Sequence, residues 1–205
     1  ALMKNCSLLA DITSSVSSRV RIPVSVKIRS GYEDKPEIAL SISKILEESG
    51  ASVIHIHLRT VEQHHSGPVN FDLAKQIKES VKIPVIVNGG VKTPQDFKEM
   101  MMKTECDCVS IGRGAISNPF IFEDIKKYFS GEKIGEISLN RRIKNFIDYL
   151  NLSSQEIGEK NALVKSRRIA GILLSGFPNA CEIRTMYMKA KLLSEARDIL
   201  GGCFR

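Results

Sequence analysis

Four short runs rich in β-branched residues punctuate the chain: PVSVKI (23–28), SVIHIH (52–57), PVIVNG (84–89) and DCVSIG (107–112). Runs this short and this apolar predict parallel strands buried on both faces. Between them, the longer amphipathic stretches 37–49, 70–80 and 94–103, followed by 119–129, predict helices, and an earlier helix is predicted over 7–20. Thr93-Pro94 and Asn118-Pro119 each set a capping side chain before a proline suited to the first helical position.

Alternation of strand and helix implies parallel pairing through right-handed crossovers, in either an α/β barrel or an open doubly wound sheet. The polar strand endings favour the barrel. Lys27 and Arg29, His57 and Arg59, Asn88 to Gly90, and Gly112 to Gly114 end successive strands. A barrel gathers its site at that rim, whereas an open sheet binds only near its switch point. From Leu139 the strand pattern gives way to helices near 140–151, 155–175 and 179–199, with SGFPNA (175–180) as a turn. The predicted fold class is therefore α/β, the C-terminal half of a (β/α)8 TIM barrel followed by an all-helical domain. Residues 1–138 form four βα units and residues 139–205 the helical domain. Four strands are half of a barrel that usually takes about 250 residues, so the earlier strands are expected upstream of Ala1.

Composition narrows the function classes. The 205 residues are 42% hydrophobic and 26% charged, with no apolar run near the roughly 20 residues a bilayer span needs. A soluble, cytoplasmic protein with no membrane partner is expected. Five cysteines, an odd number without a paired framework, fit a reducing compartment. Cys106 and Cys108 lack a matching second pair, and His64 and His65 lack a carboxylate–histidine pattern, so no metal is predicted. The net charge of +7 is uneven: residues 140–205 hold 12 Lys and Arg against 6 Asp and Glu. Such a tail suits either a polyanion-binding surface or solvated basic helices.

The glycines after the third and fourth strands carry the candidate chemistry. NGG (88–90) and GRG (112–114) each precede a predicted helix start, where backbone amides can form an anion nest. Each alone also suits a tight turn. On adjacent strands, with Arg113 as a fixed cation, they favour phosphate. Lys27 is read as sharing the face of Val24 and Val26, where it needs an anion or a polarised oxygen, or else snorkels from the strand end. His55 and His57 share a face; His57, nearer the mouth, is the ligand candidate, and His55 a hydrogen-bonded core histidine.

PVSVKIRSGYED, IHLRTVEQHHSG, IPVIVNGGV, VSIGRGAISNPFIF and GEKNALVKSRRIAGILLSGFPNACEIR together resemble, in order, the signatures of the tRNA-dihydrouridine synthases. The resemblance implies a flavin-dependent barrel with a helical RNA-binding domain, reducing uridine in tRNA with FMN as cofactor and NADPH as electron donor. It places Lys27 at the flavin ring and His57 beside the ribityl-phosphate. Asn88, Gly89, Gly90, Gly112 and Arg113 fall at the phosphate end. Arg59 is placed against FMN or RNA and is assigned here to tRNA, with Lys160, Lys165, Arg167 and Arg168. Leu58 stands where the family has glycine, and Cys6 where proline is usual. None of the five cysteines matches the one that protonates uracil, which is expected upstream of Ala1. Two other readings are a catalytically inactive tRNA-binding fragment and another FMN or sugar-phosphate barrel enzyme.

Overall fold

In an extended strand successive side chains point to opposite faces, so a strand's parity decides what it can pack against. Val26 and Ile28, Ile54 and Ile56, Val85 and Val87, and Val109 share one parity, and all are apolar. In the computed structural model, which describes residues 2–33, 35–64 and 66–202, they line one face of a parallel sheet. Its strands are β1 (Ser25–Arg29), β2 (Val53–His57), β3 (Val85–Asn88) and β4 (Cys108–Ser110), in the spatial order β1-β2-β3-β4. Among the described strands the order shows no reversal, whereas a doubly wound sheet has one at its switch point.

The helices seal that apolar face. They are α1 (Cys6–Ser17), α2 (Pro36–Glu48), α3 (Phe71–Ser80), α4 (Pro94–Thr104), α5 (Arg113–Ser117) and α6 (Ile121–Ser130). Leu9, Ile42, Leu46, Leu73, Ile77 and Met100 join Ile54, Ile56, Val85 and Val87 in one core. Burying each such side chain contributes about 1.5–3 kcal/mol. The opposite sheet face is only partly covered: Ser25, Lys27 and Cys108 are exposed, and Val53, His55 and Ile86 half-buried. Among the described residues the helices cover one face of the strands that the sequence reads as buried on both, because they all draw on a single parity.

Local chemistry sets the helix starts. Asn70 Oδ1 accepts the Leu73 amide at 2.9 Å, and Thr93 forms a capping box with Asp96 before Pro94. The expected start at Pro119 fails. A short helix, α5, follows the fourth strand at once, and α6 begins at Ile121 because the Phe120 carbonyl accepts the Asp124 amide at 3.0 Å.

The chain forms two compact units, Ala1–Ala115 with Phe120–Ile125, and Ile116–Pro119 with Lys126–Arg205. The second has its own core on α7 (Leu139–Ile157), α8 (Glu159–Leu173), α9 (Ala180–Lys189) and α10 (Leu193–Gly202). The break between α7 and α8 falls at Gly158, whose φ of 78° ends one helix and starts the next, rather than at 152–154 as the pattern predicts. The predicted helix 179–199 is two helices, because Glu195 takes the amides of Lys191 and Leu192 and opens a new one. At the centre of this core, the fully buried Tyr187 hydroxyl and Ser166 hydroxyl lie 2.7 Å apart.

Two side-chain interactions, one in each unit, give the fold measurable handles. Asp107 Oδ2 accepts the Val85 amide at 2.8 Å, and the Lys78 ammonium beside it holds its carboxyl below the ordinary value of 3.8. Asp107→Ala should destabilise the first unit by about 1 kcal/mol at neutral pH, since the pair is partly solvated. The folded value is depressed, so that stability is present above the ordinary value and is lost as pH falls through the folded one. Urea unfolding checks it: the gap between wild type and variant should shrink in acid, and a gap independent of pH would contradict the assignment. Tyr187→Phe should cost the second unit about 1 kcal/mol by the same measurement.

Candidate functional site

The register collects one residue from each strand at the C-terminal rim. Arg29, His57, Asn88 and Ser110, each the last residue of its strand, lie side by side. Two residues back along the strands, on the same face, are Lys27, His55, Ile86 and Cys108. Every polar side chain of the four strands is therefore on the face that the helices leave open. Lys27 is not on the face of Val24 and Val26, as the sequence pattern suggests: an odd separation turns it to the opposite side, beside His55. Ser110 has no signal in the sequence, since only its pairing with Asn88 places it at the rim.

This rim is cationic. Lys27 is pushed below the ordinary lysine value by partial burial and then by the Arg29 charge. His55 is lowered by burial and then by Lys27. Arg29 donates through one nitrogen to the carbonyls of Thr60 at 2.8 Å and His64 at 2.9 Å, pinning the loop after β2. His65, in the same loop, lies outside the described residues. The Asn88 amide donates to the Ser110 carbonyl at 2.6 Å, which fixes its orientation.

The glycines after β3 and β4 have different reasons. Gly90, at φ +78°, adopts a backbone that favours glycine, so the turn leaves the strand sharply and stands exposed there. Gly114 is demanded by packing, because a Cβ there would meet the Val91 carbonyl at 2.2 Å. Gly112 is unlike both: a Cβ would meet nothing within 4 Å, so the chain's own packing does not require it. Arg113 is exposed at the start of α5.

Arg59 is where sequence and structure diverge most. The resemblance places it against FMN or RNA, with tRNA the assignment made above, and only 9% of it is exposed. Its Nε donates to the Gly67 carbonyl, its fork lies over the Gly89–Gly90 turn, and one terminal nitrogen is buried without a partner. Leu58 beside it is fully buried. A cavity of about 560 Å³ lies along the same loop, lined in part by Ser30, Thr60, Gln63 and Asn70.

In the second unit, Lys160, Lys165 and Arg168 are exposed on α8. Arg167 turns inward instead, donating to the Ala190 carbonyl at 3.2 Å. Among the described residues no cluster of three His, Cys, Asp or Glu could hold a metal, and no helix is long and apolar enough to cross a membrane.

Residues 1–203 match the family model described as dihydrouridine synthase. A probable tRNA-dihydrouridine synthase of Rickettsia conorii is 35% identical over 185 residues, 90% of this chain and 56% of that protein. One from Aquifex aeolicus is 33% identical, covering 85% of this chain and 53% of its own length. A tRNA-dihydrouridine synthase B of Shewanella oneidensis is 32% identical, covering 83% and 53%. The chain thus spans about half the length of the curated relatives it matches. Among solved structures, a prophage protein of the dihydrodipicolinic acid synthase family from E. coli K12 aligns at a TM-score of 0.46 and 13% identity, over 99% of this chain and 72% of that one.

The Lys27–His55 pairing is directly measurable. His55 should titrate below the ordinary histidine value of 6.5 in an NMR pH series, and Lys27→Gln should move its midpoint upward. Because the unfolded chain takes up that proton first, stability should fall as pH drops from 6.5 through the lower folded value. A midpoint unmoved by Lys27→Gln would contradict the pairing.

Proposed function

The chain belongs to the dihydrouridine synthase family, and from that premise we propose that it carries the cofactor-binding and RNA-binding part of a tRNA-modifying oxidoreductase. The reaction is reduction of uridine in tRNA to 5,6-dihydrouridine, in the cytoplasm. The observation that carries the reading is the two-faced sheet, with every polar strand residue on the open face and a cationic rim at its C-terminal end.

FMN is the cofactor in this reading, and when bound it supplies hydride chemistry, with NADPH as the source of electrons. The residues present suit such a group. A buried guanidinium nitrogen without a partner, an exposed glycine turn and an open position at Gly112 are features that an anionic ligand satisfies. Asn88, Gly89, Gly90, Gly112 and Arg113 hold the phosphate end. His57 lines the path between, and Lys27 places its ammonium where negative charge is stabilised. Partial burial and then the Arg29 charge lower Lys27, and an anionic neighbour there opposes that shift.

The remaining assignments follow the same reading. Residues 1–138 are the flavin-binding half of a (β/α)8 barrel, and its open sheet face is completed by further βα units. The 185 matched residues are 56% of the Rickettsia conorii protein, leaving roughly 145, enough for four such units at about 30 residues each. The proton donor to uracil belongs to that other part. Residues 139–205 bind tRNA, with Lys160, Lys165 and Arg168 meeting phosphates and Arg167 holding α8 against the carbonyl end of α9.

Deleting the gene that encodes this chain should remove dihydrouridine from at least one tRNA position, read by mass spectrometry of digested tRNA. Unchanged dihydrouridine at every position would overturn the proposal. Reversing Lys160, Lys165 and Arg168 to Glu should weaken tRNA binding and reduce the salt dependence by roughly one unit of slope for each phosphate no longer neutralised. An unchanged slope would assign those three residues to solvent.

A further inference from the structure

We propose that Arg59 is the buried arm of a terminal-phosphate site, which it forms with Arg113 over the Gly89–Gly90 turn, and that it does not contact the tRNA backbone. The inference rests on the flavin reading for the identity of the ligand, but the anion itself follows from the geometry of this chain.

Three observations converge on it. The first is burial without compensation: Arg59 is nine-tenths buried, its Nε is spent on the Gly67 carbonyl, and one terminal nitrogen has no partner. A buried guanidinium cannot shed its proton, so it needs a carboxylate or an external anion. No carboxylate pairs with it among the described residues. The second is aim. A Cβ at Gly89 would lie 3.6 Å from one terminal nitrogen and a Cβ at Gly90 3.5 Å from the other, so the fork lies against the turn. The third is a like-charged neighbour: burial first, and then the Arg113 charge, depress the Arg59 guanidinium, which places two cations in one field.

The chemistry selects among anions. A phosphate monoester carries close to two charges at neutral pH and offers oxygens to both guanidiniums and to the turn amides. It is also the end of a molecule, so it can enter a site that leaves only 9% of Arg59 open. A tRNA backbone phosphate is a singly charged diester with chain continuing on both sides, which suits exposed cations. The Arg59–Gly67 bond then gives binding a second consequence. The loop from Thr60 to His64 is already held by Arg29, and an anion on Arg59 fixes its far end at Gly67.

The test compares the wild-type chain with Arg59→Met, Arg59→Lys and Arg113→Met by thermal unfolding as inorganic phosphate is titrated, and by binding of FMN against riboflavin. In phosphate-free buffer Arg59→Met should melt a few degrees above wild type, because an unpaired buried charge is gone. It should lose the stabilisation that phosphate gives wild type, and Arg59→Lys should keep part of it. The preference for FMN over riboflavin should fall about tenfold or more in Arg59→Met. If phosphate stabilises Arg59→Met and Arg59→Lys as well as wild type, the site is overturned. If FMN preference survives Arg59→Met and is lost only in Arg113→Met, the flavin reading stands and Arg59 has no part in it. If phosphate stabilises wild type through Arg59 but FMN binds no better than riboflavin, the anion site stands and the flavin reading fails. If Arg59→Met instead lowers the salt slope of tRNA binding by about one unit, its anion is an RNA phosphate and the terminal-phosphate assignment is overturned.

Discussion

Strand alternation under one-sided helix packing is the constraint on which the rest of the first unit depends. The helices bury Ile28, Ile54, Ile56, Val85, Val87 and Val109, with Val26 partly buried against them, and with that parity committed to the core the other parity has one place to go. Six buried apolar side chains at about 1.5–3 kcal/mol each hold the register far more firmly than any polar contact on the open face. A slip of one residue would turn Lys27, His55 and Asn88 into the core. The polar row is thus positioned by hydrophobic burial that it takes no part in.

Parallel pairing converts that alternation into a site. In register, the last residues of four strands fall into one row, and the glycine turns carry backbone amides to the same rim. Lys27, Arg29, Arg59 and Arg113 concentrate positive charge there, and each of the two with a lowered value, Lys27 and Arg59, is depressed first by burial and then by another cation. A site that is costly to leave without negative charge is one that binds it with selectivity. The helical unit follows a different logic: its apolar positions close a core around Tyr187, while Lys160, Lys165 and Arg168 stay in solvent.

Much of this is legible in the order of residues. Strand and helix alternation, the Thr93 cap and the rim positions of His57, Asn88 and Gly90 all follow from local pattern, because local chemistry decides them. What fails depends on partners distant in the chain. Lys27 goes to the wrong face through a parity error that pairing with His55 exposes. Arg59 looks like a surface cation because nothing in its neighbours announces that Gly67 and the Gly89–Gly90 turn enclose it. Arg167 looks equivalent to Arg168, yet one turns inward to Ala190 and the other outward. Ser110 carries no signal of its own. The start of α6 is misplaced because a proline after asparagine marks a turn as readily as a helix.

In the proposed reading, the open polar face at the strand ends binds the phosphate and ring of a flavin. Hydrogen–deuterium exchange of the protein as the cell makes it, with and without FMN, tests this most directly. Slowed exchange centred on residues 88–90 and 112–114, extending along 55–59, is the predicted result. Protection that is absent there, or that appears only in the helices of the second unit, would place the flavin elsewhere or rule it out.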